Sequence, residues 1–345
     1  MKLQKIKISK AYVPQLLFSL VVYANVIANL QALQGNTFLY IFKHGVVILA
    51  AISGLKLVQQ IRVSTLIFFL FLSLCYALAG LNFYALMIIP FALATNYFGF
   101  HLGRIQSSNF LTNYYMFIAA LFLLFSGPEY FANGFFNTTY GRPRFTTPFG
   151  HPKEAAIIVT APLLLALTSF RTDRIKYSFS ILASYLISSR NILLFWAIAT
   201  ISRSKYLMVP LLIVVASFLF YAVTFVDVAT LDRYTSLRAG IWLRAVLNAA
   251  EIVESVQGID LSKRFGLDSF WVEAFIVFGF APAAVLFFLF LTLVLLRKSF
   301  LVLSIGVAFF ATTFFDTGIA STGNLLHLLF FTVIQSRKVS VRRND

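Results

Sequence analysis

Long apolar runs separated by short charged clusters organise the chain from end to end. Two examples are YLMVPLLIVVASFLFYAVTF (206–225) and FGFAPAAVLFFLFLTLVLL (278–296). About 20 apolar residues cross a hydrocarbon core of about 30 Å as a helix. The runs are continuous rather than alternating, so they do not describe strands of a membrane barrel. The pattern predicts an all-α, polytopic membrane protein with about twelve spans, their limits good to a few residues. They are expected near 12–32, 37–55, 63–80, 82–98, 110–127, 155–170, 177–189, 190–201, 206–226, 269–296, 299–315 and 318–334. Residues 177–201 read equally as two short helices meeting at SSRN or as one long, tilted or broken helix. The basic start followed by an apolar run, with no small-residue cleavage site, reads as the first span rather than a signal peptide. The whole chain, 1–345, is expected to form a single membrane domain.

Composition agrees with the pattern. The 345 residues are 60% hydrophobic and 12% charged, with a mean hydropathy of +0.86, where soluble domains carry roughly 25% charged residues. The formal net charge is +16. Nucleic-acid binding is nevertheless set aside, because the basic residues form no single soluble patch. Cys75 is the only cysteine, so no disulfide closes within the chain. One cysteine and four scattered histidines (44, 101, 151 and 327) do not make a zinc set.

The charges also orient the chain. With the amino terminus in the cytoplasm, the inner segments hold Lys2, Lys5, Lys7 and Lys10, then Lys56, Arg62 and Arg104. They also hold the basic residues of RTDRIK (171–176), SRSK (202–205), RK (297–298) and the tail from Arg337. Every short inner connection then carries at least one cation, as the positive-inside rule requires. Both termini are expected in the cytoplasm. The two long connections, 128–153 and 227–268, fall outside, and seven of the 12 acidic residues lie in or beside them. Long loops are where function concentrates.

Nine basic residues break the pattern: Arg142, Arg144, Lys153, Arg190, Arg233, Arg238, Arg244, Lys263 and Arg264. Seven are arginine, whose planar fork suits phosphate where lysine offers only a point charge. Arg233, Lys263 and Arg264 stand beside Asp232, Asp260 and Asp268, and pairing with those acids accounts for them. Arg190 lies between apolar segments with no acid nearby in sequence, so a cavity or a bound partner is the expected use of its charge.

Residues 236–256 read as an amphipathic helix on the outer surface. Trp242, Val246, Ala249, Val253 and Val256 share one face, and Arg244, Asn248, Glu251 and Ser255 the other. It is either a shield over the bundle or a lid that turns Arg238 or Arg244 toward a polar headgroup. His151-Pro152-Lys153-Glu154 reads first as a helix start, with Glu154 favoured by the dipole. His151 as a base is the less favoured alternative. Lys43, His44 and His327 lie inside apolar runs, where packing or internal hydrogen bonds are the preferred reading.

An arginine-rich outer stretch leading into PFGHPKEAA, a mid-bundle SSRNILLFWAIA, and a large loop with TSLRAGIWLRAVLNAAEIVES before GLDSFWVEAFIVFGFAPAAVLFF follow in order. Together they resemble the bacterial O-antigen polymerase and O-antigen ligase superfamily over residues 140 to about 290. The resemblance implies a GT-C-like, metal-independent glycosyltransferase without cofactor. Its donor would be an undecaprenyl-pyrophosphate-linked glycan at the periplasmic face of the inner membrane. It further implies that Arg142 or Arg144, Arg190, Arg238 and Arg244 hold the pyrophosphate. Partners would include membrane lipids, a chain-length regulator and a flippase. Ligases of that superfamily show His-Asn where this chain has Asp268-Ser269, which favours the polymerase branch. Asp268, then Glu154 and His151, are the candidates to deprotonate or orient an acceptor hydroxyl. The ligase reaction, and from another class a lipid-linked oligosaccharide flippase or other transporter, are the alternatives. No internal repeat of the transporter kind is visible.

Overall fold

The computed structural model describes residues 12–33, 35–107, 109–125, 136–139, 142–145, 149, 152–167, 173–187, 189–201, 210, 217, 227, 240, 269–296, 300–313, 319–321 and 324–336. Apart from one short strand pair they are helical. The helices are α1 Val13–Ala28, α2 Thr37–Gly54, α3 Val63–Leu78, α4 Asn82–Phe100, α5 Leu102–Ser107, α6 Phe110–Phe125 and α7 Pro152–Thr160. They continue with α8 Leu163–Leu167, α9 Asp173–Leu186, α10 Arg190–Ile201, α11 Phe270–Phe278, α12 Phe280–Leu295, α13 Phe300–Thr313 and α14 Leu325–Gln335. The strands β1 Phe136–Thr139 and β2 Arg142–Phe145 pair antiparallel.

Most expected spans reappear as helices within a few residues of their limits, because the apolar runs end at recognisable caps. The Asn36 side chain accepts the Leu39 N–H at 3.2 Å and opens α2. Asn324 accepts from Leu326 N at 2.9 Å and His327 N at 3.3 Å. That cap moves the start of the last helix to 325, well after the expected 318. Each side-chain cap satisfies amides that a helix start leaves open. The 177–201 ambiguity resolves as two helices, α9 and α10. Two expected spans are each broken in two, 155–170 at Ala161-Pro162 and 269–296 at Gly279.

Among the described residues, two helical segments are long and apolar enough to cross a membrane. They are α2 with its 3-10 extension, Thr37–Gln60, and α4. Seven further apolar helices run 10–17 residues, about 15–25 Å at 1.5 Å per residue. Their outer surfaces are greasy. Phe38 is 73% exposed, Leu78 78% and Leu123 77%, where a soluble surface avoids wide apolar patches.

The chain divides into two compact units. The first comprises residues 1–61, 90–189 and 322–345. Phe18 packs edge-on to Phe98 and Phe110, both at 5.1 Å, and Tyr23 lies 4.6 Å from Phe117. Gly54 lets α2 approach α4, since a Cβ there would lie 2.8 Å from the Leu93 carbonyl oxygen. Helix α14 is buried along its whole length, as a helix apolar on every face must be. Gln335 on it donates to Thr95 Oγ1 at 2.6 Å. At the break between α7 and α8, Pro162 has no N–H to give the Ile158 carbonyl. Tyr114 donates its hydroxyl to that oxygen at 2.6 Å, and Tyr115 donates to Val159 O at 2.9 Å.

The second unit comprises residues 62–89 and 190–321. Helix α12 packs on α3, α11 and α13, and α10 packs on α13. Trp271 is the hub. Its ring lies 5.3 Å from Phe287 and 5.7 Å from Phe310, and its indole N–H donates to Thr313 Oγ1 at 2.7 Å. Gly279 separates α11 from α12 at φ 87, ψ 167, a backbone state open to glycine alone.

Candidate functional site

The outer connection expected between residues 128 and 153 contains the β1–β2 ribbon. Its register pairs Asn137 with Arg144 and Thr139 with Arg142, while Phe136 pairs with Phe145 and Thr138 with Pro143. Strand residues alternate between faces, and directly paired residues share one. Positions 137, 139, 142 and 144 therefore lie on one face of the ribbon, all polar, two of them arginine. Positions 136, 138, 143 and 145 make the other face. Strand β2 packs against α7, whose first turn carries Lys153 and Glu154, both half-buried. Arg142 and Arg144 thus come ten and eight residues before Pro152, the start of a helix with an acid in its first turn.

Elsewhere in the same unit, α2 carries a further cation. Lys43 is buried, 9% exposed, with its ammonium 5.2 Å from the centre of the Tyr40 ring. His44, equally buried, meets the same ring edge-on at 4.5 Å. The expectation of packing or internal hydrogen bonds for this pair agrees with these ring contacts and with their burial. For His327 the packing reading agrees with its place on buried α14, 1% exposed.

Arg190 is the first residue of α10, in the second unit. The macrodipole disfavours a cation at that end. Ser269, immediately after Asp268, is fully buried and caps α11 by accepting the Val272 N–H at 3.4 Å. The Asp268-Ser269 pair of the sequence motif therefore ends at a helix start, with Glu273 in its first turn. His151, Arg238, Arg244, Asp268 and the helix expected over 236–256 lie outside the described residues. Among the described residues no three histidine, cysteine or acidic side chains group as metal ligands.

No family model, curated protein or solved structure matches the chain.

Proposed function

We propose that this protein is a membrane glycosyltransferase that joins undecaprenyl-pyrophosphate-linked oligosaccharide units into O-antigen, capsule or exopolysaccharide. In this reading the chain crosses a bacterial inner membrane about twelve times, both termini are cytoplasmic, and the ribbon and α7 face the periplasm. The observation that carries it is the shared face of Arg142 and Arg144 on a ribbon packed against the helix that begins with Lys153 and Glu154. The exposed apolar surfaces of the helices support the membrane setting.

The chemistry follows from the residue types. An acceptor hydroxyl oxygen attacks the anomeric carbon of the donor sugar. The bond from that carbon to the pyrophosphate oxygen breaks, and its electron pair leaves on the undecaprenyl pyrophosphate. The leaving group is already anionic, so fixed cations stabilise it without a proton donor. Arg142, Arg144 and Arg190, with Arg238 and Arg244 of the second outer loop, are the proposed cations. The acceptor proton passes to a carboxylate or imidazole, with Asp268, Glu154 and His151 as candidates.

The test is gel electrophoresis of surface and lipid-linked glycans from a deletion strain carrying wild type, Arg190→Ala or Arg244→Ala. Single-repeat glycan in the deletion strain, rescued by wild type and by neither expressed variant, is the expected result. Long polymer stranded on the carrier would instead identify a ligase. Undiminished surface polymer would end the glycan-assembly reading and leave transport.

A further inference from the structure

The C-terminal ends of α4 and α14 meet more closely than most side chains allow. A Cβ on Gly99 would lie 2.8 Å from the Thr332 carbonyl oxygen and 3.0 Å from the Ser336 amide nitrogen. Both helices bring buried polar side chains to this part of the first unit. Thr95 and Asn96 come from α4, Thr332 and Gln335 from α14, each no more than 5% exposed. Asn96 donates to the Leu57 carbonyl at 3.2 Å. The Gln335 amide nitrogen donates to Thr95 Oγ1 at 2.6 Å and to the Ala92 carbonyl at 3.4 Å. A carbonyl can only accept, which fixes the end of the amide that carries the hydrogens. Thr95 in turn donates to the Phe91 carbonyl at 2.9 Å.

Two oxygens are left over. Among the described residues, neither Gln335 Oε1 nor Thr332 Oγ1 has a hydrogen-bond partner, and both are shielded from solvent. Native proteins leave few buried polar atoms in that condition. Thr95, Thr160, Thr200 and Thr292 turn their hydroxyls back to the carbonyl four residues earlier, and Thr332 does not. Residues 332 and 335 lie three apart on one helix, where Cβ atoms are about 5–6 Å from each other. Two hydrogen bonds of about 2.8 Å each span such a gap. The two oxygens have opposite needs. The glutamine oxygen takes only a donor, while the threonine hydroxyl has a proton to give. A group between them must therefore accept from one and donate to the other. Water does both, and a metal cation has no lone pair to accept the hydroxyl proton. Thr332 and Gln335 lie in the last turn of α14, and Gly99 is one residue before the end of α4. The place is thus at the helix ends and not in the apolar middle of the bundle.

We propose that one buried water binds between Thr332 Oγ1 and Gln335 Oε1, accepting from the hydroxyl and donating to the amide oxygen. Its second hydrogen goes to one of the last-turn carbonyls of α14, which a helix end leaves open. That gives the water about three hydrogen bonds, the usual number for a buried one. Together with Gln335 and Thr95 it forms a polar pin that holds the end of α14 on α4. Gly99 keeps the backbones too close for a larger side chain to do so. This site does not depend on the glycosyltransferase reading.

An experimental structure of the full-length wild-type protein, at a resolution that shows ordered water, tests the site directly. The expected result is a density peak within hydrogen-bond reach of both oxygens. A peak ringed by oxygens at metal-ligand distances, a direct Thr332–Gln335 hydrogen bond, or no peak at all would overturn it. A double-mutant cycle in mixed micelles reads the same bridge as stability. Thr332→Val keeps the shape and removes the hydroxyl, and should raise the unfolding equilibrium constant on the order of tenfold. In the Gln335→Met background no amide oxygen depends on the bridge, and the same change should cost about twofold or less. An equal cost in both backgrounds would show that nothing links the two side chains, and the water would fall with the link.

Discussion

The two expected spans that the structure breaks are broken by opposite means. In the first unit α7 gives way to α8 at Pro162, and the chain there lacks a donor. In the second unit α11 gives way to α12 at Gly279, where the chain has adopted a backbone state that other residues avoid. A missing donor leaves a polar atom open in an apolar interior, so side chains must supply the hydrogen bond. Tyr114 and Tyr115 of α6 do so. A special dihedral angle leaves nothing open, and the Gly279 break has only to be kept free of a side chain. The proline break therefore depends on another helix, while the glycine break is local. That difference bears on the proposed function, because the proline-broken helix has Glu154 in its first turn and packs against β2.

The largest effect is expected at Gly279. Valine there would have to adopt φ 87 with ψ 167, at a cost of about 3 kcal/mol. Equilibrium unfolding in mixed micelles would show it, and an unchanged unfolding free energy would mean that the α11–α12 break tolerates any residue.

Tyr114→Phe comes next. The ring stays, but the hydroxyl that serves the Ile158 carbonyl is lost from a fully buried place, which costs about 2 kcal/mol. Tyr115→Phe, at a part-buried site, should cost about half as much. The sharper comparison is a double-mutant cycle with Pro162→Ala. Alanine restores an N–H that can reach the Ile158 oxygen, so Tyr114→Phe should cost about 1 kcal/mol less in that background. Simple additivity would show that the tyrosine does not substitute for the missing amide. The proline-break variants should also reduce polymer formation relative to their effect on stability, whereas Gly279→Val should act on both together.

The sequence made most helices legible because their limits follow from the length of an apolar run and a polar residue at its start, as with Asn36, whereas the Asn324 cap inside the last run was missed. It did not reveal the breaks. Pro162 and Gly279 sit inside runs that remain apolar on both sides, and hydropathy is blind to a single missing donor or one unusual dihedral angle. The ribbon was overlooked for a different reason. Its strands are four residues each, too short for a period-two pattern to stand out. Of the site residues, Arg142, Arg144, Glu154 and Arg190 could be found by asking where charge interrupts grease. For Lys43 the fold adds what the sequence does not show, its burial and its ammonium over the Tyr40 ring.

The smallest effect is expected at His101, which follows α4 directly and tests whether burial outside the spans has consequences for stability. Burial, with Arg104 adding to it, pulls the His101 pKa below 6.5. Between pH 6.5 and that lower value the unfolded chain binds more protons than the folded one, so stability rises with pH across this window. The contribution is complete above pH 6.5 and fades as pH falls toward the folded pKa. His101→Gln removes the titrating group, and the unfolding free energy should then vary less between pH 7 and pH 5 than it does in wild type. The imidazole meets Tyr97 edge-on at 4.9 Å, so a small uniform loss of stability accompanies the flatter profile. An unaltered slope with only that uniform loss would show that His101 contributes packing and no proton linkage.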